Sequence, residues 1–271
     1  GDAEWAGRVA EAFEAAGGEG RLTMSDASIA AALANAGVDS HRDTLTIEPF
    51  SAVGEQPTTG FADDPVNTST GNFLEPEHDL VFTGGAASLR FSRMYNSLDD
   101  RTGVFGYGWS SVLDTRLELD DDGARFIMED GRQISFPRAG DGWDRGVGEN
   151  YWLTDTLPQR LTNVVGLPDR VLTVTDNEGN WWAFTPAGLW LAAGTGPGST
   201  VTVVRNDGGD ITRLSHERGR FIDIEYAADK VVSVHASDGR RIEYLYDDQR
   251  RLTAVSSSAG TRTYRWNDAG L

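Results

Sequence analysis

Ile242-Glu243-Tyr244-Leu245-Tyr246-Asp247-Asp248-Gln249-Arg250-Arg251-Leu252-Thr253-Ala254-Val255 alternates large and polar residues, breaks at a polar turn, and resumes with a second apolar run. The alternation is the period of a half-buried strand. Counterparts stand twenty residues to either side, in Ile222, Ile224 and Tyr226 before it and in Tyr264 and Trp266 after it. Tyr226, Tyr246 and Trp266 thus hold one position in three copies, the last strand reading Thr263 to Trp266. Val231 to Val234 and Leu252 to Val255 are the second strands, with turns at Gly239 and Gly260. A fainter copy runs from Thr202 to Phe221, where Ile211, Leu214 and Gly219 keep the spacing. Two strands and two turns in twenty residues give one hairpin per repeat. A fixed period of this size predicts a stacked, antiparallel β architecture in which no unit buries its face alone.

The copy Ile242 to Val255 resembles the tyrosine-aspartate (YD) repeat of the Rhs family, roughly Tyr-x-Tyr-Asp-x-x-Gly-Arg-Leu-Thr-x-Val. Tyr244, Tyr246, Asp247 and Leu252 fall on its fixed positions. The departures are Arg250 for Gly, Ala227 for Asp after Tyr226, and Asn267 after Trp266. Three segments upstream look like the module that precedes the repeats in many such proteins. They are Asp64-Pro65-Val66-Asn67-Thr68-Ser69-Thr70-Gly71-Asn72-Phe73, then Leu89 to Ser97 with Arg93, Tyr95 and Asn96, then Phe105 to Ser110 with Gly108 and Trp109. The resemblance covers most of 64–271. It implies a mainly β fold, the start of a hollow YD-repeat shell around a C-terminal toxin domain held inactive for delivery to a competing cell. In that family self-cleavage belongs to an aspartate-bearing motif near the shell's end, which Asn267 to Leu271 resembles only loosely. The toxin is therefore expected beyond Leu271, and no residue here is expected to be catalytic.

The lead-in is read differently. Trp5, Val9, Ala12, Phe13 and Ala16 fall at helical spacing before Gly17-Gly18, and Asp26 to Ala36 forms a second helix closed by Gly37. The expected layout is a short α-helical hairpin over 1–40, an extended linker over 41–63, a β-rich module over 64–200 and the repeats over 201–271. In the module, Leu89, Phe91 and Arg93 alternate with Arg90, Ser92 and Met94, Asp120 to Gly123 turns one hairpin and Asp130-Gly131 the next.

At 271 residues the chain has ample length for a core, supplied by 11 Phe, 8 Trp and 7 Tyr, while the absence of Cys removes disulfides and thiolate metal sites. A net charge of −18 repels phosphate backbones and anionic lipid, which argues against nucleic acid and membrane surfaces as partners. No apolar run reaches a membrane span, and the first residues lack the pattern of a signal peptide. The chain starts without Met and stops partway through a repeat, so it reads as a piece of a longer, exported protein, secreted or on the cell surface. Its expected partners are the rest of the shell, the toxin domain, and a secretion component at the N-terminal helices.

A search for chemistry nominates no catalytic group, metal or cofactor. His41, His78, His216 and His235 lack ligand spacing, and no nucleophile elbow or phosphate loop is present. His78-Asp79 could belong to a triad, but no serine is singled out. Asp120 to Gly123 and Asp176 to Asn180 hold oxygen ligands beside a Gly without a full calcium-loop spacing. Two other classes stay open. A surface adhesin or carbohydrate-binding module would use Trp143, Trp152, Trp181, Trp182 and Trp190 as a glycan platform, and an acidic hydrolase would rest on the carboxylates alone.

Overall fold

The alternation of Ile, Val, Leu and Tyr with polar residues becomes one long meander. In a computed structural model of the chain, residues 53–54, 61–62, 66–67, 71–162, 164, 166–195 and 199–266 are described, and they lie in one unit, Glu48–Leu271. The expected helical hairpin, most of the linker, Asp64, Pro65 and residues 267–271 lie outside the described residues.

The leading module contains β1 (Phe61–Ala62), β2 (Val66–Asn67), β3 (Leu74–Val81), β4 (Arg90–Asn96), β5 (Thr102–Gly103), β6 (Gly106–Tyr107) and β7 (Trp109–Ser111). Next come β8 (Arg116–Leu119), β9 (Gly123–Ile127), β10 (Gln133–Ala139) and β11 (Gly142–Trp143), which form a four-stranded sheet. Strands β3, β4 and β7 form a three-stranded sheet, and the two small pairs are β1 with β2 and β5 with β6.

The large sheet follows as β12 (Tyr151–Thr154), β13 (Leu172–Asp176), β14 (Trp181–Phe184), β15 (Trp190–Thr195), β16 (Ser199–Arg205) and β17 (Ile211–His216). It ends with β18 (Phe221–Ala227), β19 (Lys230–Ala236), β20 (Arg241–Tyr246), β21 (Leu252–Ser257) and β22 (Gly260–Thr263). These eleven strands lie side by side in chain order, every neighbouring pair antiparallel. Strand β16 crosses residue 200, so module and repeats share one sheet. The last strand differs from the sequence expectation. Strand β22 stops at Thr263, Tyr264 keeps one ladder bond to the Thr253 carbonyl (2.9 Å), and the rings of Tyr264 and Trp266 pack against Trp109 and Tyr95 of the leading module.

One face of the large sheet meets the leading module. Ile222, Ile224, Val234, Ile242 and Tyr244 from the sheet share a buried cluster with Leu80, Phe91, Phe105, Phe126 and Phe136 from the module. Strands β14 and β15 also bury part of their other face, where Leu161 and Val171 cluster with Trp181, Ala183 and Ala192.

Among the described residues, seven hairpins close with the same turn. The N–H of the turn's fourth residue bonds the carbonyl of its first, and the N–H of the first bonds the carbonyl of the fifth, in turns starting at Met128, Asp176, Thr185, Asn206, His216, Ala236 and Asp247. The fourth residue has positive φ throughout: Gly131, Gly179, Gly188, Gly209, Gly219, Gly239 and Arg250. Glycine takes that conformation at no steric cost, whereas a residue with Cβ is strained there. Where the first residue is Asp247, its carboxylate accepts the Gln249 and Arg251 N–H groups at 3.0 and 2.9 Å. Asp176 accepts those of Glu178 and Asn180 in the same way (2.9 and 2.8 Å), and Asn206 accepts that of Asp210 (2.9 Å). The oxygens of Asp176 and of Asp120, weighed above as cation ligands, are thus engaged inside their own turns.

Arg250 occupies the one turn of this set that lacks glycine, at φ 64°, and its ion pair with Asp229 is exposed. An exposed pair contributes little, so relief of the backbone should dominate. Arg250→Gly should raise unfolding free energy by about 0.5–1 kcal/mol in urea melts. Gly239 has free space around a built Cβ, so Gly239→Ala isolates the backbone cost and should lower stability by about 1–2 kcal/mol.

Candidate functional site

The last aromatic of the first strand in each repeat has one role. Tyr226 donates to the Ile211 carbonyl (2.9 Å) and Tyr246 to the Val231 carbonyl (2.7 Å), each fifteen residues back. Trp266 donates through Nε1 to the Leu252 carbonyl (2.8 Å), fourteen residues back. Successive hairpins are therefore tied by a side chain that fills the core and caps the start of an earlier strand. The one-residue difference follows from the turns: four residues lie between the paired Tyr226 and Val231, and five between the paired Tyr246 and Leu252.

The most unusual group is Arg93. Its position in β4 has the parity of Leu89 and Phe91, which points it into the core, and its side chain is 0% exposed. Arg93 Nε and Nη2 donate to the two oxygens of Asp79 on β3 at 2.6 and 3.0 Å. The Tyr244 hydroxyl on β20 donates to the same carboxylate at 2.7 Å, and Arg93 Nη2 lies 3.4 Å from the Tyr264 hydroxyl. Tyr264 in turn donates to Glu77 (3.0 Å), which also holds Arg262. The guanidinium stacks over Trp109 at 4.4 Å and over Phe105 and Tyr244 at 5.4 Å each. Burial opposes its charge, yet the hydrogen-bonded Asp79 carboxylate outweighs that and raises the guanidinium above its ordinary value.

A second set of polar groups braces the leading module. Asn72 and Asn96 are both fully buried. Asn96 accepts from the Gly54 N–H (2.8 Å) and from Asn72 (3.2 Å), and donates to the Asp130 carbonyl (3.1 Å). Asn72 accepts from the Leu98 N–H at 3.2 Å. Gly71 has φ +74° and opens this loop. Gly108, at φ +72°, is required by space too, since a Cβ there would lie 2.7 Å from the Tyr95 ring. Tyr95 packs between Trp109 and Trp266 at ring separations of 5.4 and 5.8 Å. The segment between β4 and β7 reaches the repeats directly, since the Val104 carbonyl accepts the Val231 N–H (3.1 Å) and a Cβ on Gly106 would lie 2.9 Å from the Arg250 carbonyl. The structure thus gathers Arg93, Tyr95, Trp109, Tyr244, Tyr264 and Trp266 into one joint. Tyr226 lies in the repeats, Asp247 caps a turn and Leu252 is core.

These groups hold structure and leave little for chemistry. Asp79 is taken by Arg93 and Tyr244, while His78 Nδ1 faces Ser92 (3.1 Å), so the pair builds no relay. Ser233, His235 and Glu225 do meet on the outer face, but one nitrogen, His235 Nε2, faces both Ser233 (3.1 Å) and Glu225 (3.4 Å), and Ser233 donates to Glu225. A relay needs the base between nucleophile and carboxylate, through different ring nitrogens. Of the five tryptophans considered as a platform, Trp181 and Trp190 are buried, Trp143 and Trp182 half-buried, and Trp152 is 39% exposed. Among the described residues no three His, Asp or Glu cluster as a metal site, and no helix is long and apolar enough to cross a membrane.

Comparison with known proteins finds similarity over parts of the chain. The family described as RHS Repeat matches residues 226–263, and the family described as Domain of unknown function (DUF6531) matches residues 63–136. The chain therefore carries an Rhs repeat. The chain is 32% identical over 133 residues to the tRNA nuclease WapA of Bacillus subtilis (strain 168), covering 45% of this chain and 6% of that protein. It is 37% identical over 95 residues to the tRNA3(Ser)-specific nuclease WapA of Bacillus spizizenii, covering 35% of this chain and 4% of that protein. The match thus spans only about a twentieth of these relatives' length. Among solved structures, a crystal structure of TcdB2-TccC3-Cdc42 aligns with 76% of this chain and 12% of its own, at 12% identity and a TM-score of 0.28.

Removing one partner of a buried ion pair leaves the other charge stranded, whereas replacing both with apolar groups does not. Arg93→Met should therefore cost about 3–5 kcal/mol, and Arg93→Met with Asp79→Leu should recover a large part of it, in denaturant titrations. Burial also raises the phenols of Tyr95, Tyr151, Tyr226, Tyr244, Tyr246 and Tyr264 above their ordinary value. Their contribution is fully present below the unfolded phenol value of about 10 and is lost as pH rises beyond it. Phenolate absorbance from these residues should appear in step with loss of sheet circular dichroism above about pH 10. Phenolate formed with the sheet intact would contradict it.

Proposed function

We propose that this Rhs chain is the opening section of a β shell that encloses a toxin domain within a longer protein exported for competition between bacteria. The observation that carries the reading is the shared donor of Tyr226, Tyr246 and Trp266, each seated on an earlier hairpin. A sheet built this way needs only its neighbours and extends by adding units, as a wall does. The buried Arg93 joint supports it as well, since it fixes a non-repeating module across one face of the sheet. Similarity to proteins named as tRNA nucleases fits a role beside a toxic enzyme, whose chemistry falls to a domain outside this chain.

The same reading makes the N-terminal segment a helical hairpin facing a secretion component, and makes the remaining shell and the toxin the partners of the described sheet. It places the whole protein outside the cell or on its surface. The test uses the full gene product. Its C-terminal region should be cut by protease at least tenfold more slowly than the same region expressed alone, and Arg93→Met should remove the protection. Equal cutting rates would overturn the enclosure. Saturable binding to a sugar array by the full chain would favour the adhesin instead.

A further inference from the structure

Where the leading module meets the large sheet, the core leaves a cavity of about 120 Å³. Its apolar walls are Phe126 and Met128 of the module with Trp182, Trp190, Val201 and Leu214 of the sheet. Protein interiors are close-packed, and a void of this size forfeits contacts on every wall. Water suits it poorly, because a buried water needs two to four polar partners. Trp190 already spends its Nε1 proton on the Ala192 carbonyl (2.9 Å). Ser88 Oγ is buried on the lining and has no partner among the described residues. Arg90 and Glu129 also line the space, are joined to each other by an ion pair, and reach solvent at 51% and 31% exposure, so they form its mouth.

We infer that this cavity is a binding site for a small monocyclic aromatic molecule carrying one hydroxyl, of the phenol class. The ring lies against Trp182, Trp190 and Phe126, and the hydroxyl meets Ser88 Oγ. The volume matches that class, since cavities of about 150 Å³ with apolar walls take up benzene. The Arg90–Glu129 pair closes the entrance behind it. This site stands apart from the Arg93 joint and does not depend on the shell reading.

The test uses the full chain with phenol and benzene as probes, read by ligand-to-protein proton contacts in NMR titrations. On the unaltered protein, phenol should show saturable contacts with the Trp182 and Trp190 indoles, and benzene should compete for them. Ser88→Ala should weaken phenol about tenfold, the loss of one buried hydrogen bond, while changing benzene by less than about twofold. Ala193→Leu, which adds a side chain on the lining, should abolish both. Because the primary reading is made on unaltered protein, a filling variant that fails to fold leaves it intact. Absence of saturable contacts from either probe to the two indoles would overturn the site, and unchanged phenol affinity in Ser88→Ala would overturn the assigned ligand class.

Discussion

A single guanidinium holds two differently built halves together. Arg93 comes from a sheet with no repeat, yet its carboxylate, hydroxyl and aromatic neighbours come from β3, β7, β20 and the chain after β22. A buried charge is tolerated only when it is paired, and here the pair is completed by a tyrosine that the repeat pattern supplies for core packing. The requirement works in both directions. The module cannot bury Arg93 without the repeats, and the repeats present Tyr244 and Tyr264 hydroxyls to a core that would otherwise leave them unmatched.

The rest of the sheet depends on a simpler rule. One turn geometry recurs seven times, and one aromatic position recurs three times with its polar tip on an earlier strand. The turn fixes register through backbone bonds, and the aromatic fixes the distance between hairpins through a side chain. The two devices use different groups, main chain in the turn and a side chain between hairpins. Gly188 shows how tightly the layers meet, since a Cβ there would lie 1.9 Å from the Leu117 carbonyl of the neighbouring sheet.

Much of this was legible in advance. Alternation and the period of twenty gave strands and turns from Tyr226 to Val255, because both signals arise from neighbours a few residues apart. The end of the last strand was not, since Tyr264 and Trp266 keep the repeat's residue types while their rings answer to Trp109 and Tyr95. Arg93 carried a local signal, its parity with Leu89 and Phe91, which marks a charge aimed inward. What it meets there was beyond reach, because Tyr244 and Tyr264 lie 165 residues from Asp79 and 171 from Arg93. Asn72 and Asn96 stood out as motif residues, but only the structure shows them as braces between loops.

The strand order bears on how such a chain comes to be folded. Every strand of the large sheet pairs only with those before and after it in sequence, so each hairpin from β13 onward closes over a short loop at small entropic cost. The sheet can therefore grow from one end as polypeptide emerges, never needing a segment not yet made. The Arg93 joint breaks that locality. Its module is synthesised first and holds an incompletely matched cation until Tyr244 and Tyr264 are made, so the joint forms only after the sheet has reached β22 and then couples the two halves into one cooperative unit.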